Sequence, residues 1–213
     1  MVLTLGSALG RPSTSAVAEG AVAFYDAETG FTFSQFSAAY SLGASITYRI
    51  AVPTSATNSA PYDVVLQVVA PKVVGWAGLA WGGSMVKNPL TVTWANGNTP
   101  VISSRWAAGH TMPTSYSDAI YTIFKTGTKS NSTHWQFTAR CTGCTAFQGA
   151  NGYQVLNPKS SNRLAFAYSA TKPSNPGSPD SGFVVHDVHN YWSHDFSSGA
   201  NADFTNLVQK NMK

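Results

Sequence analysis

The sequence predicts an all-β protein built as an antiparallel β-sandwich with its long loops gathered at one end. Short segments with alternating apolar residues recur along the 213 residues, and turn residues separate them. Helical periodicity is nearly absent. Composition agrees, because 43% of the residues are hydrophobic but only 10% are charged, against roughly 25% in an average soluble domain. Polarity comes instead from Ser, Thr, Asn and Gly.

Nine segments are predicted as strands. The segment 44–52 places Ile46, Tyr48 and Ile50 on one face, as the two-residue period of a strand requires. The segment 62–70 is nearly all apolar, which indicates a strand buried on both faces. Asn96-Gly97 is a strong two-residue hairpin signal between two of the segments. The predicted strands cover residues 31–36, 44–52, 62–70, 73–81, 90–95, 100–106, 119–124, 134–140 and 163–169.

The remaining chain indicates one domain. Residues 172–182 hold three of the eleven prolines and are predicted as a long loop. Residues 201–208 could form one or two helical turns. We expect a leader or flexible segment over 1–20, a single domain over 21–208 and a C-terminal tail over 209–213.

The charge balance excludes some partners. The formal net charge is +4, but no run of Lys and Arg interleaves with aromatic residues, so a nucleic-acid partner is not expected. No apolar run approaches the roughly 18 residues of a membrane helix. We expect a monomer, and the positive charge suggests an acidic docking partner.

The two cysteines, Cys141 and Cys144, form a CxxC pair in what reads as strand followed by loop. A disulfide in a secreted protein is one interpretation, and a thioredoxin-like redox pair is another. Asn131 begins the Asn-Ser-Thr glycosylation sequon, which fits a secretory route.

Most catalytic signatures are missing. The chain has no GxSxG, no close carboxylate pair among nine acidic residues, and no phosphate-binding loop. Three histidines, His186, His189 and His194, follow the proline-rich loop and could bind zinc or copper. They could equally be loop histidines that form hydrogen bonds or face solvent.

The stretch 75–106 holds four of the six tryptophans and the turn Gly82-Gly83, closely followed by Met85. A thioether among aromatic residues is either core packing or a soft ligand beside a flat apolar cofactor. Methionine with histidine is a recognised axial pair for haem iron. Covalent attachment of haem would need CxxCH, and Cys144 is followed by Thr145, so any haem here would be b-type.

Five blocks in order resemble the cytochrome domain of fungal cellobiose dehydrogenases and related secreted b-type cytochromes of sugar oxidoreductases. The resemblance extends through most of 24–208 and is carried by Trp76–Met85, Thr93–Asn98, Ser103–Gly109, Asn131–Trp135 and Arg140–Thr145. It implies an immunoglobulin-like sandwich with haem b held between loops at one end. It also implies that Cys141 and Cys144 form a disulfide.

The resemblance further implies axial ligands. The family's methionine after the Gly-Gly turn falls on Met85, and its histidine falls on His186 in Ser181–His186. His189 and His194 compete for the second role, whereas the neighbours of Met112 do not fit the first. His110 stands where the family commonly has a tyrosine near a haem propionate, so His110 is a candidate propionate contact.

Arg105 either neutralises a propionate or covers the sandwich edge. Trp81 is a further candidate cofactor-binding residue, and both Trp81 and Trp94 are expected to pack in the pocket or core rather than relay electrons.

The implied function is single-electron transfer outside the cell, with catalysis left to a partner. The donor would be a flavin- or quinone-dependent sugar dehydrogenase, on the same chain or separate. The acceptor would be a copper polysaccharide monooxygenase, ferric iron or a quinone, in lignocellulose degradation. The alternative is a haem-free carbohydrate-binding β-sandwich with exposed tryptophans.

Overall fold

The computed structural model describes residues 20–213, which form sixteen strands, one 3₁₀ turn and one helix. The first strands are β1 (Val22–Tyr25), β2 (Thr32–Ser41), β3 (Ala44–Pro53), β4 (Val64–Pro71), β5 (Trp76–Ala80), β6 (Pro89–Asn96), β7 (Thr99–Trp106) and β8 (Thr114–Ser115). The later strands are β9 (Ile120–Ile123), β10 (Lys129–Ser130), β11 (His134–Thr142), β12 (Ala146–Gly149), β13 (Gly152–Val155), β14 (Ser161–Ser169), β15 (Val188–Asp195) and β16 (Ala200–Asn201). The 3₁₀ turn is Phe196–Gly199, and helix α1 is Phe204–Asn211. The predicted leader, residues 1–20, lies outside the described residues except for Gly20.

The strands form two sheets and a small hairpin. The first sheet has the order β1-β2-β3-β4-β11-β10, with β9 beside β11 and β16 parallel to β3. The second sheet has the order β15-β14-β5-β6-β7-β8, and its pairs are antiparallel. Strands β12 and β13 pair only with each other. The predicted all-β sandwich is therefore confirmed.

The main core lies between the two sheets. Ile46, Tyr48 and Ile50 point into it from β3, as the alternation predicted, and Leu79 and Trp81 enter it from the second sheet. The Tyr48 hydroxyl donates a hydrogen bond across the sandwich to the Gly78 carbonyl oxygen at 2.9 Å. This bond satisfies a fully buried hydroxyl and fixes the distance between the sheets.

A second, smaller core covers the outer face of the first sheet. Phe31, Phe33 and Phe124 pack there against Phe204 and Val208 of helix α1. This arrangement explains why 62–70 is apolar throughout, because β4 is buried on both faces. Helix α1 continues through the predicted C-terminal tail as far as Asn211, whose buried side-chain amide donates to the Thr29 carbonyl oxygen. The last helical turn thus belongs to the domain.

Several other predictions can be compared with the structure. A hairpin joins β6 and β7 as predicted, but its two-residue turn is Gly97-Asn98, one position later than expected, because Asn96 pairs with Thr99 and Gly97 has the positive φ of +60°. Cys141 and Cys144 form a disulfide. The assignment of the three histidines to a loop is wrong for His189 and His194, since both lie on β15. Among the described residues, no helix is long and apolar enough to cross a membrane.

His194 joins the two sheets from a fully buried position. Its Nδ1 accepts a hydrogen bond from the Trp192 indole at 2.9 Å, so the ring proton is on Nε2, 3.2 Å from the Ser34 carbonyl oxygen. Burial is the largest influence, and it lowers the pKa of His194 to about 4. Both ring nitrogens are therefore satisfied in the neutral form only.

Acidification should therefore destabilise the fold through His194. Between pH 6.5 and about 4, the unfolded chain binds a proton that the folded chain does not bind, so stability falls as pH falls. Moving from pH 7.5 to 5 should cost about 2 kcal/mol from this residue alone. Urea unfolding of wild type and His194→Asn at both pH values measures this. The variant should lose less stability on acidification, and an equal loss in both proteins would contradict the assignment.

Candidate functional site

The second sheet carries a flat floor on its outer face. Strand alternation sends Ala77, Leu79 and Trp81 into the main core, so Gly78 and Ala80 face outwards. The strand register aligns small residues from β5 and β14 side by side. One row across the sheet is Leu90, Ala80, Ala165 and Tyr191, and the next row is Val92, Gly78, Ala167 and His189. The centre of this face therefore carries only glycine and alanine, so no side chain projects far above the strands.

Loops cover this floor and leave a cavity of about 630 Å³. The loops come from 82–87, from 107–113 and from 183–187. Met85, His110 and His186 all line the cavity, so the structure brings together three of the five predicted cofactor-binding residues. The cavity lies on the outer face of a sheet under these loops, rather than among loops at an end of the sandwich.

The Met85 loop is held by close backbone packing. A Cβ on Gly82 would lie 1.6 Å from Oδ1 of Asn88, and Asn88 itself donates to the Val86 carbonyl oxygen. Gly83 has a φ of +74°, and a Cβ there would lie 2.5 Å from Cγ of Arg163. Met85 packs against Ala80 and its neighbours at one edge of the floor. Both glycines are thus required for the loop conformation that places the Met85 thioether at the cavity.

Arg163 connects this loop to the opposite edge of the cavity. Its guanidinium carbon lies 4.0 Å from the centroid of the Tyr191 ring, and Tyr191 lines the cavity. The aliphatic stem of Arg163 packs on Gly83 at the same time. One side chain therefore supports both the Met85 loop and the β15 wall.

His186 and His189 meet at the β15 side of the cavity. Their ring centroids are 4.5 Å apart with an edge-to-face geometry. Burial lowers the pKa of His186 below its ordinary value, and the neighbouring His189 lowers it further. His186 is therefore neutral at neutral pH, which is the form that binds a metal ion.

His194 cannot join these two histidines. It lies at the far end of β15, in the main core, with both ring nitrogens bonded within the protein. Within residues 20–213, no group of three His, Cys, Asp or Glu side chains could hold a metal ion. The zinc or copper interpretation of the three histidines is therefore wrong.

Arg105 lies outside the cavity lining and is almost fully buried. It donates to Oγ of Ser103 at 2.6 Å and to the carbonyl oxygens of Pro113, Pro179 and Ser181 at 2.8–3.1 Å. These bonds fasten the loops 107–113 and 172–182 to β7. Arg105 was predicted either to neutralise a propionate or to cover the sandwich edge, and its contacts match the second role.

The tryptophans are mostly core residues. Trp81 belongs to the main core and donates to Oγ1 of Thr91 at 3.0 Å, and Trp94 donates to the Pro176 carbonyl oxygen at 2.8 Å. The five tryptophans other than Trp106 are at most 7% exposed. A sugar-stacking surface of exposed tryptophans, which the carbohydrate-binding alternative needs, is thus absent from residues 20–213.

Sequence reasoning missed several residues of the cavity. Trp76 and Phe183 close one end, with ring centroids 5.0 Å apart, and His189 and Tyr191 form the β15 wall. The small residues at every second position of 76–80 and 165–167 were the available signal. A flat apolar floor with a thioether and a neutral imidazole on the walls fits a flat cofactor such as haem.

The comparisons with known proteins agree with this geometry. The family model of the cytochrome domain of cellobiose dehydrogenase matches residues 24–206. The chain is 34% identical over 184 residues to a pyrroloquinoline quinone-dependent pyranose dehydrogenase of Coprinopsis cinerea. That match covers 86% of this chain and 24% of the relative, so the chain spans about a quarter of the relative's length.

Two solved structures share the fold. The crystal structure of the cytochrome b domain of the C. cinerea pyranose dehydrogenase has a TM-score of 0.78 and 30% identity, and covers 91% of this chain and 96% of that one. The cytochrome domain of Myriococcum thermophilum cellobiose dehydrogenase has a TM-score of 0.80 and 22% identity, with 92% and 98% covered. At the lower identity, the likeness shows the fold alone.

Replacing Gly83 by Ala should destabilise the protein more than replacing Gly97. Both residues have positive φ values, of +74° and +60°, so both substitutions carry the strain of a left-handed residue. Only Gly83 has neighbours in contact, whereas nothing lies within 4 Å of a Cβ on Gly97. We expect about 1–2 kcal/mol for Gly97→Ala and roughly 1–3 kcal/mol more for Gly83→Ala, measured by urea unfolding. Equal losses would show that the packing on Arg163 is easily relaxed.

Proposed function

Because the chain belongs to the family of cellobiose dehydrogenase cytochrome domains, we propose that it binds haem b without a covalent link and relays single electrons. The single observation that carries this proposal is that Met85 and His186, far apart in sequence, line the same flat-floored cavity. When bound, haem b supplies a one-electron Fe(III)/Fe(II) couple. The disulfide supports non-covalent binding, because it engages both cysteines of the chain.

Each residue of the site has a defined task in this proposal. Sδ of Met85 and an imidazole nitrogen of His186 would hold the iron, and the thioether would favour its ferrous state. The floor of Gly78, Ala80 and their neighbours accepts a planar ring and excludes water from it. With Met85 and His186 both bound to it, the iron would serve electron transfer, and catalysis would belong to a partner.

The partners are inferred from the relatives. The curated relative is a quinone-dependent sugar dehydrogenase, and the family model is named for cellobiose dehydrogenase. We therefore propose a flavin- or quinone-dependent sugar dehydrogenase as donor. A copper polysaccharide monooxygenase, ferric iron or a quinone is the proposed acceptor. The disulfide and the exposed Asn131 sequon support a secreted, glycosylated protein. We further propose that it is a monomer and acts in lignocellulose degradation.

His110 is the proposed propionate contact from the 107–113 loop. It lines the cavity and is exposed, as a residue at the mouth would be. No hydrogen bond within the described protein occupies its ring, so it is free to donate to a carboxylate. Arg105 is not proposed for this role, because backbone carbonyls already take most of its N–H groups.

The first test is an absorption spectrum with matched methionine variants. Purified protein should be red, with a sharp Soret band and a low-spin spectrum on reduction. Met85→Leu should abolish the low-spin reduced spectrum, since leucine cannot ligate. Met112→Leu is the control, because Met112 lines the same cavity but is not a proposed ligand.

The proposed histidine ligand is tested with its own matched pair of variants. His186→Gln should remove the low-spin spectrum, and His189→Gln should keep it, although the two rings are in contact. A colourless wild type would overturn the proposed function. A low-spin spectrum that survives Met85→Leu or His186→Gln would overturn that ligand assignment.

Electron transfer to an acidic partner should slow as salt is added, because screening weakens attraction between exposed charges. Lys87 is exposed two residues after Met85, on the 82–87 loop that covers the cavity. Lys87→Gln should weaken the salt dependence of the transfer rate measured by stopped flow. Lys210→Gln, on helix α1 at the opposite side of the sandwich, should not. No salt dependence in the wild type would remove the acidic partner from the proposal.

A further inference from the structure

The segment that carries His186 to the cavity is attached at its ends and not along its length. Residues 183–187 form neither helix nor strand, and no backbone hydrogen bond joins 183–186 to the rest of the described chain. Phe183 packs on an aromatic ring at the start of the segment, but Val184 and Val185 are 47% and 79% exposed. The direction of the His186 side chain therefore depends on how the next residue, Asp187, is held.

Asp187 makes three hydrogen bonds to three consecutive residues at the end of β14. Its backbone N–H donates to the Tyr168 carbonyl oxygen at 2.7 Å. Oδ2 of its carboxylate accepts from the Ala170 backbone N–H at 2.7 Å and from the Ser169 hydroxyl at 3.1 Å. A carboxylate forms stronger hydrogen bonds than a neutral acceptor does. Asp187 is thus fixed through its backbone and through its side chain.

The end of β14 that Asp187 binds is part of the sheet that forms the cavity floor. Ser169 is fully buried and pairs with β5, and its carbonyl oxygen accepts from the Gly75 backbone N–H at 2.8 Å. A Cβ on Gly75 would lie 2.4 Å from the carbonyl carbon of Thr171, so the two chains are in close contact. Strands β5 and β14 also supply the small residues of the floor. Asp187 therefore ties His186 to the surface on which the cofactor would lie.

We propose that the Asp187 carboxylate is a positioning residue for His186, an inference that rests on the proposed function. A ligand has to be held to within about 0.5 Å of its working geometry, and a segment without hydrogen bonds of its own does not provide this. Fixing the backbone N–H and the carboxylate of Asp187 also fixes the peptide bond that joins it to His186. Among the described residues Asp187 forms no ion pair, so its charge serves these hydrogen bonds.

Asp195, just after the last histidine of β15, provides the matched comparison. Its carboxylate accepts from the Ser197 backbone N–H at 3.0 Å and from the hydroxyls of Ser197 and Ser198. These contacts are local and begin the 3₁₀ turn. The side-chain partners of Asp187 instead lie 17 and 18 residues away on another strand. Two aspartates thus flank one strand, and only Asp187 joins the cavity wall to the floor.

The test compares Asp187→Ala, Asp187→Asn and Asp195→Ala in the haem-loaded protein. Alanine removes both side-chain hydrogen bonds, whereas the amide oxygen of asparagine can accept both, because both go to one oxygen. Asp187→Ala should lose haem to a scavenging apoglobin about 10-fold faster than wild type, as expected for the loss of a hydrogen bond to a charged group. It should also show a larger high-spin fraction in its absorption spectrum. Asp187→Asn should restore most of the wild-type rate and the low-spin spectrum.

Two further measurements separate positioning from a general loss of stability. Urea unfolding of the haem-free proteins ranks the variants, and Asp195→Ala should keep the low-spin spectrum and its haem even if it is as destabilised as Asp187→Ala. In the haem-free protein, the Ala170 amide proton should exchange with solvent faster in Asp187→Ala than in wild type or Asp187→Asn.

Three results would overturn this inference and leave haem binding intact. The first is an Asp187→Ala protein with the wild-type spectrum and wild-type haem retention. The second is an Asp195→Ala protein with the same defects as Asp187→Ala, and the third is an Asp187→Asn protein that restores neither property. A wild type with no Soret band would instead overturn the proposed function itself.

Discussion

The second sheet has to bury both of its faces, and the way it does so determines the rest of the site. Its inner face presents large side chains such as Leu79 and Phe166 to the sandwich core. Its outer face presents Gly78, Ala80, Ala165 and Ala167, whose small side chains leave an unfilled volume above the strands. Small residues at alternate positions would be a packing defect in an ordinary strand. Here they define a flat slot, and the covering loops need only reach over its edges.

The covering loops are fixed mainly by backbone contacts. Gly82 and Gly83 allow the Met85 loop to approach Asn88 and Arg163 more closely than any side chain would permit. Arg105 ties the 107–113 loop to residues 179–181, which lead directly into the covering segment 183–187, through carbonyl oxygens and without an ion pair. A chain with few charges can thus hold three loops over one cavity. This also leaves the cavity walls largely apolar, as a low-dielectric redox site requires.

The fold could be predicted from sequence because strand alternation is a local signal. Segments such as 44–52 and 90–95 carry the period of two, and the structure confirms them as β3 and β6. Strand β15 was missed because His189, Asn190 and Ser193 interrupt any apolar pattern, although the strand pairs with β14 from Ser161 to Tyr168. Its outward-facing His189 and Tyr191 line the cavity, and its inward-facing Trp192 and His194 are buried in the core. A strand at a functional edge therefore lacks the pattern that reveals ordinary strands.

Site residues that belong to sequence motifs could be predicted. Site residues whose location depends on how the strands pair could not. Met85, His110 and His186 were chosen from a family resemblance, and they do line one cavity. Trp81 falls on the opposite, inner face of the sheet. Arg105 shares the outer face with its strand partner Leu90, but its hydrogen bonds to loop carbonyl oxygens hold it outside the cavity lining. The side of the sheet separates the four tryptophans of 75–106: Trp76 and Trp94 pack on the outer face, whereas Trp81 and Trp106 pack against the main core.

Of the two outer tryptophans, Trp94 is closed off by its bond to Pro176 under the proline-rich loop. Trp76 alone of the two lines the cavity. The chemical role of a tryptophan in this protein is therefore decided by what covers it and not by its membership of an aromatic cluster.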